Sequence, residues 1–332
     1  MASRHCHFLF LLLGKNRDDM RDREEKYISL LTDFGFKRIF GTKPNKDLLI
    51  NFLNSLFEGE QVVTDVMYLN GESVGDVLME RKAIFDVYCQ NERGEKFIVE
   101  MQNAYQKYFK DRSIYYATYP IREQARKGAD WDFRLSKVYV IALLNFAYND
   151  EAFDSGAICH DVELQDKATN RTFYDKLIFK YIEIGKFDKG ADELETLSDK
   201  WLYALKNMAR IEGRPKALRD RVFTKLFQKA EIAQFSPSEL KTYEDSLKAY
   251  RDIKNSMETA KEQGIEIGKE IGKEQGIEIG KEIGKEQGIE IGKEQGIRDG
   301  IERVAKGMKE KGIDSATISA CTGLSAEQVE RL

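Results

Sequence analysis

The run Val138-Tyr139-Val140-Ile141-Ala142-Leu143-Leu144-Asn145-Phe146 is almost wholly apolar. A strand with one wet face alternates apolar and polar residues, and this one does not. It predicts a central strand covered on both faces, which requires other strands at its sides and helices above and below. Further strands are predicted at 62–69, in a hairpin across 80–102, at 158–166 and at 173–184. Helical spacing of apolar residues predicts helices at Tyr27–Phe40, Asp47–Phe57 and Tyr108–Gly128, the last with Gly128 as its C-cap. Residues 190–255 are helical by pattern, with Trp201, Leu202 and Leu205 as core anchors. The result is an α/β fold, a mixed sheet flanked by helices. A chain of 332 residues, 42% apolar, suffices for such a core.

The hairpin places acids where a core strand prefers apolar side chains. Its strands are Ala83-Ile84-Phe85-Asp86-Val87-Tyr88-Cys89 and Lys96-Phe97-Ile98-Val99-Glu100-Met101-Gln102. A three-residue loop, Glu92-Arg93-Gly94, with Gly94 left-handed, pairs Asn91 with Glu95. Counting outward sets Asp86 opposite Glu100, at a Cβ separation of roughly 4.5–5.5 Å. Gln102 falls on the same face. Carboxylates that close need a cation between them or a raised pKa. A hard, oxygen-ligated Mg²⁺ is the simplest answer. Taken alone, the same cluster also describes a salt-bridged or solvent-facing strand surface.

A net charge of −4 argues against a broad nucleic-acid-coating surface but allows a local basic groove. The four cysteines, Cys6, Cys89, Cys159 and Cys321, form no C-x-x-C pair. Neither a zinc site nor a disulfide framework is expected, which suits a reducing cytoplasm. Of three histidines, only His160 lies outside the N-terminal tail, which argues against Ser-His-Asp or Cys-His catalysis. No phosphate-cradling G-x-x-x-x-G-K-[ST] motif occurs. The apolar run Phe8–Leu13 is too short to cross a bilayer. Residues 1–19 read as an extension upstream of a start at Met20, with a secretory signal as the alternative; no membrane partner is expected.

Beyond a main domain at 20–255 lies a low-complexity tract at 256–303. Within 262–300 a twelve-residue unit, Glu-Gln-Gly-Ile-Glu-Ile-Gly-Lys-Glu-Ile-Gly-Lys, recurs, and glycine falls every fourth residue from Gly264 to Gly300. Ten helical glycines cost ~0.8–1.0 kcal/mol each relative to alanine. Two readings stand: a helix stabilised by self-association, making a homo-oligomer with right-handed wrapping, or a flexible linker. Residues 304–332 form a short helical end. Ser315 caps Ala316–Cys321, Gly323 ends that helix, and Ser325-Ala326-Glu327-Gln328 is a capping box. The resulting helix-turn-helix likeness allows either DNA reading or a plain end cap or oligomer contact.

Together, Asp33-Phe34-Gly35-Phe36-Lys37-Arg38-Ile39-Phe40-Gly41, Phe85-Asp86-Val87, Val99-Glu100-Met101-Gln102 and Arg112-Ser113-Ile114-Tyr115-Tyr116 with Gln124 resemble the PD-(D/E)XK nuclease family transposases, the recombination-promoting nuclease group, over about residues 27–255. The resemblance implies a restriction-endonuclease-like fold with a helical repeat tail. It also implies DNA cleavage dependent on Mg²⁺, with Mn²⁺ as a substitute, and a link to recombination or mobile elements. It makes Asp86 and Glu100 the metal-binding pair and puts Gln102 at the third catalytic position, where the usual pattern has lysine. Glutamine orients by hydrogen bonds but carries no charge, so more falls on the metal. Asp33 and Lys37, on one helix face, Arg112 for a phosphate, and Tyr116 for a phosphate or a metal-bound water complete the set. The resemblance implies in-line attack by a water on the phosphodiester, with departure of the 3′-oxygen and products ending in 5′-phosphate.

Structural readings stand beside these. Asp33–Lys37 can be a surface pair, Arg112 can pair with Glu123 or Asp111, and Tyr116 and Gln124 can serve helix packing. Lys82 reads as a solvated charge and Glu183 as a structural strand acid. At the level of function, the alternatives are a catalytically weak DNA- or protein-binding module assembled through the repeat tract, and an RNA-directed or toxin-like nuclease.

Overall fold

The computed structural model describes residues 25–57, 59, 63–69, 72–73, 83–125, 132–148, 153 and 156–332. The extension at 1–19, the start at Met20, Lys82 and the Gly128 cap lie outside them. In chain order the elements are α1 (Asp33–Phe40), α2 (Lys46–Leu56), β1 (Val66–Tyr68), β2 (Glu72–Ser73), β3 (Ala83–Ile84), β4 (Val87–Asn91), β5 (Lys96–Gln102), α3 (Phe109–Arg122), β6 (Val138–Leu144), β7 (Cys159–Asp166) and β8 (Arg171–Glu183). Then follow α4 (Leu197–Asn207), α5 (Arg221–Ala230), α6 (Pro237–Glu310), α7 (Ser315–Thr322) and α8 (Ala326–Glu330). Contacts divide the chain into two compact units that meet at Met257 and Glu258.

The first unit is built on a six-stranded mixed sheet of order β1-β4-β5-β6-β8-β7. β5, β6 and β8 run parallel, and the outer pairings are antiparallel. All seven residues of β6 are buried, as a central strand covered on both faces must be. One face, with Cys89, Phe97, Val99, Tyr139, Ile141 and Leu143, packs on α1, α2, α4 and α5 around Trp201. The other, with Val140, Ala142, Leu144 and Tyr181, is covered by α3 through Phe109 and Ala117. Every even-numbered residue of β5 faces α3, which places Glu100 and Gln102 under that helix.

The predicted helix at Tyr27–Phe40 starts later than its apolar spacing suggests. Tyr27 bridges Glu231, and the Ile28 amide bonds to the Ala230 carbonyl, so this stretch is extended. Thr32 then caps α1: its hydroxyl accepts from Gly35 N–H and donates to the Ser29 carbonyl. A Cβ on Gly35 would stand 2.1 Å from the Ser29 oxygen, so only glycine lets this turn fold back so closely. Tertiary pairing with the 230–232 segment overrides local periodicity here. α3 likewise ends at Arg122, short of the predicted 128.

The repeat tract is helical, as the inner part of the 74-residue α6. Nine isoleucines from Ile265 to Ile297 remain 49–64% exposed, and a Cβ on any of the tract's ten glycines would meet nothing within 4 Å. Glutamate also recurs every fourth residue from Glu262 to Glu294, stacking like charges at i,i+4, which weakens an isolated helix. No helix among the described residues is apolar enough to cross a membrane. In the second unit, Ala305, Ile318 and Val329 form a small core joining the end of α6 to α7 and α8. Asp314 rather than Ser315 caps α7, accepting from Thr317 N–H. The Ser325–Gln328 capping box forms, and Gly323 is left-handed.

Candidate active site

The hairpin register follows from its turn. Gly94 has φ 79°, and the Asn91 amide bonds to the Glu95 carbonyl at 3.0 Å. The ladder pairs Val87 with Val99, so its next step is Asp86 opposite Glu100. The ladder stops one residue short of that pair. Phe85 and Asp86 interrupt the strand between β3 and β4, leaving the last residues of β5 without a backbone partner on that side. The Asp86 carboxylate fills the gap and accepts from Met101 N–H at 2.8 Å. A half-buried amide left without a strand partner is satisfied by an acid, and that acid is thereby fixed beside Glu100.

Charge is concentrated here. Glu100 is buried, and its Oε1 has no hydrogen-bond partner. Burial, followed by the charge of Asp86, pushes the Glu100 carboxyl up to about 8, although Arg112 pulls the other way. Asp86 is also raised by burial, against the opposing pull of the Met101 amide and Lys37. α1 contributes the counter-charge: Lys37 Nζ lies 2.6 Å from Asp33 Oδ1 and 3.6 Å from Asp86 Oδ1. Burial disfavours the Lys37 ammonium, but its bond to Asp33 and the charges of Asp33 and Asp86 outweigh that and hold it protonated above its ordinary range. The Asp33–Lys37 pair is therefore not an isolated surface pair.

α3 supplies the opposite wall. Arg112 donates to Gln102 Oε1 at 2.5 Å and to Gln106 Oε1 at 2.5 Å, and its guanidinium lies over the Phe109 and Tyr116 rings at 4.9 and 5.6 Å. The sequence alternatives of Glu123 or Asp111 as its partner are thus replaced by two glutamines, one of them Gln102 itself. The Gln102 amide donates onward to the Ala104 carbonyl at 2.9 Å. Arg112 Nε is buried and has no acceptor. Tyr116 packs edge-on against Phe85, and burial and the Glu100 charge raise its phenol pKa. Gln124 lies apart from the cluster and ties the end of α3 to Ser136.

Two other polar groups near this face are structural. Lys96 bonds to Glu123 at 2.7 Å and to the Tyr88 hydroxyl at 3.2 Å, and Tyr88 also bonds to Glu123. Glu183 is fully buried and takes Tyr148 N–H, His160 Nε2 at 3.0 Å and Lys186 at 2.5 Å. His160 is stacked on Phe153 at 4.4 Å and is held there rather than presented to a substrate. Gln106 was invisible to sequence reasoning, because only the chain path after β5 brings it to Arg112.

Of the three buried, unpartnered side-chain atoms among the described residues, two sit in this cluster: an acceptor, Glu100 Oε1, and a donor, Arg112 Nε. A cation would satisfy the first and an anion the second. Among the described residues no group of three or more His, Cys, Asp or Glu forms a metal cage. Two carboxylates suit Mg²⁺, which is held by one or two acids with substrate phosphate and water completing its shell. The residues present therefore fit a divalent metal acting together with a phosphate.

A sequence model for the PD-(D/E)XK nuclease family transposases matches residues 30–260. No curated protein and no solved structure matches the chain.

Proposed function

The chain belongs to the PD-(D/E)XK nuclease family transposases, and from that membership we propose that it is a Mg²⁺-dependent DNA endonuclease serving recombination or transposition. The observation that carries this reading is the pair of orphaned atoms, Glu100 Oε1 on one sheet face and Arg112 Nε on the helix that covers it. Asp86 and Glu100 hold the metal. When bound, it supplies Lewis acidity toward a phosphodiester and lowers the pKa of a bound water. Arg112 donates to a phosphate oxygen from a position fixed by Gln102 and Gln106. Gln102 carries no charge and acts by orienting Arg112. Lys37, held as an ammonium beside Asp86, places a positive charge at this end of the cluster. Supercoiled plasmid with Mg²⁺ is expected to be nicked by the native chain and by Asp86→Ala and Glu100→Ala at rates about 10³-fold lower. Undiminished nicking by both variants would remove the site assignment.

A second copy of the chain is the proposed partner of the repeat helix, on the strength of its exposed isoleucines. An isolated helix with ten glycines forgoes roughly 8–10 kcal/mol relative to alanine, and packing of isoleucines across a small-residue surface offsets that loss. Sedimentation equilibrium of the full chain should show concentration-dependent association. Replacing Ile267, Ile279 and Ile291 by serine should raise the dissociation constant at least ~10-fold. A native chain that stays monomeric across the concentration range refutes the proposal.

A further inference from the structure

The loop from β5 to α3 and the first turns of α3 carry more exposed aromatic surface than a packed helix needs. Tyr105 is 52% exposed, Tyr108 66% and Tyr115 44%. Tyr105 is nonetheless held in place: its ring meets Phe146 edge-on at 6.0 Å and Tyr148 at 5.4 Å. Tyr148 in turn packs on Phe153 at 5.4 Å. An aromatic row is thus anchored in the core at one end and presents a fixed, half-open ring at the other. Fixing an amphipathic ring in advance lowers the entropy lost when a flat ligand covers it.

Cations are interleaved with these rings. Lys107 Nζ lies 5.4 Å from the Tyr108 centroid, and Lys110 Nζ lies 5.1 and 5.6 Å from Phe153 and Tyr148. Residues 103–115 carry Lys107, Lys110 and Arg112 against Asp111 alone, a local surplus of two positive charges in a chain of net charge −4. This surface also adjoins the cluster, because Arg112 and Gln106 belong to both. It lies beyond the carboxyl ends of the parallel strands β5 and β6, where open α/β sheets take their ligands.

We propose that this surface binds an unpaired nucleic-acid strand, with bases stacked on Tyr105 and Tyr108 and phosphates met by Lys107 and Lys110, so that the adjoining site receives a frayed or single-stranded segment. Bases in an intact duplex are stacked on one another and offer these rings no face. A phosphate-only contact would need lysines but no exposed, pre-fixed tyrosines. The inference rests on the nuclease reading for its orientation toward the site, but its own content is binding.

The test is fluorescence anisotropy of the full chain in EDTA, where no cleavage occurs. The probes are a labelled 20-mer single-stranded DNA, the same sequence as duplex, and the same sequence as single-stranded RNA. Tyr105→Ala and Tyr108→Ala are each expected to weaken single-strand binding about 5- to 100-fold and to leave duplex affinity within about twofold. Tyr→Phe at either position should retain native affinity, because the ring face is kept. Replacing Lys107 and Lys110 together by glutamine should flatten the salt dependence on the single strand by about 1.4 in log–log slope. Unfolding midpoints within experimental error of the native chain show that the variants fold. Single-strand affinity unchanged in both alanine variants, or lost equally for the duplex, overturns the proposal. Comparing the DNA and RNA arms identifies which unpaired strand is taken. Loss of plasmid nicking in the Asp86 variant with intact Tyr-dependent binding separates this surface from the catalytic assignment.

Discussion

Glu100→Gln is expected to abolish cleavage and, at pH 8.5 in EDTA, to raise the unfolding midpoint above that of the native chain. Both effects come from the same burial. The Glu100 carboxyl sits at about 8 in the folded protein, because burial and the neighbouring Asp86 charge disfavour its ionised form. In the unfolded chain it ionises in the ordinary range near 4.3. A group whose pKa is raised by folding holds its proton more tightly when folded. Its favourable contribution is therefore complete below pH ~4.3 and is lost progressively up to about pH 8. Above that, the folded protein confines a carboxylate beside a second acid, at a cost of about 5 kcal/mol at one pKa unit per 1.36 kcal/mol. Glutamine keeps the shape and removes the charge. Thermal unfolding at pH 5 should show little difference between the two proteins, and at pH 8.5 the variant should unfold several degrees higher. Saturating Mg²⁺ should then raise the native midpoint at pH 8.5 and leave the variant where it was. A variant less stable than the native chain at pH 8.5 in EDTA would show that Glu100 is not confined without its counter-charge.

The hairpin register was legible because one residue sets it. Gly94 at positive φ fixes the loop length, and the loop length fixes every cross-strand pair up to Val87–Val99. β6 was legible because a strand covered on both faces loses its alternation. The interruption at Phe85–Asp86 was not legible, since its cause is a side chain replacing a backbone partner for Met101. Nor was the Arg112 partner. Glu123 lies eleven residues along the same chain segment, but Lys96 claims it from the neighbouring strand. The helix boundary at Thr32 was missed for a related reason, because pairing to Ala230 lies 202 residues away in sequence. Local pattern reports which face is apolar; it does not report which distant backbone competes for an amide.

Lys37→Met is expected to lower the cleavage rate about 10²-fold with little effect on DNA affinity, and Gln102→Lys is expected not to restore it. In the proposed site Gln102 stands where the family resemblance leads one to expect lysine, and its Oε1 accepts from the Arg112 guanidinium. A lysine there would lose that acceptor role and set an ammonium against a guanidinium in a half-buried site, where like charges repel strongly. Lys37 reaches the same cluster from α1 and stands 3.6 Å from Asp86. Its own charge is secured by Asp33 at 2.6 Å. Asp33→Asn should therefore act in the same direction more weakly, because it loosens the ammonium without removing it. Gln102→Lys alone should lower both the rate and the unfolding midpoint. The comparison to make is single-turnover cleavage of a plasmid by Lys37→Met, Gln102→Lys and the double variant under saturating Mg²⁺. A double variant that recovers the native rate would show that the two positions are interchangeable and that the Arg112–Gln102 contact is dispensable. A double variant at or below the slower single variant places the positive charge of this site on α1.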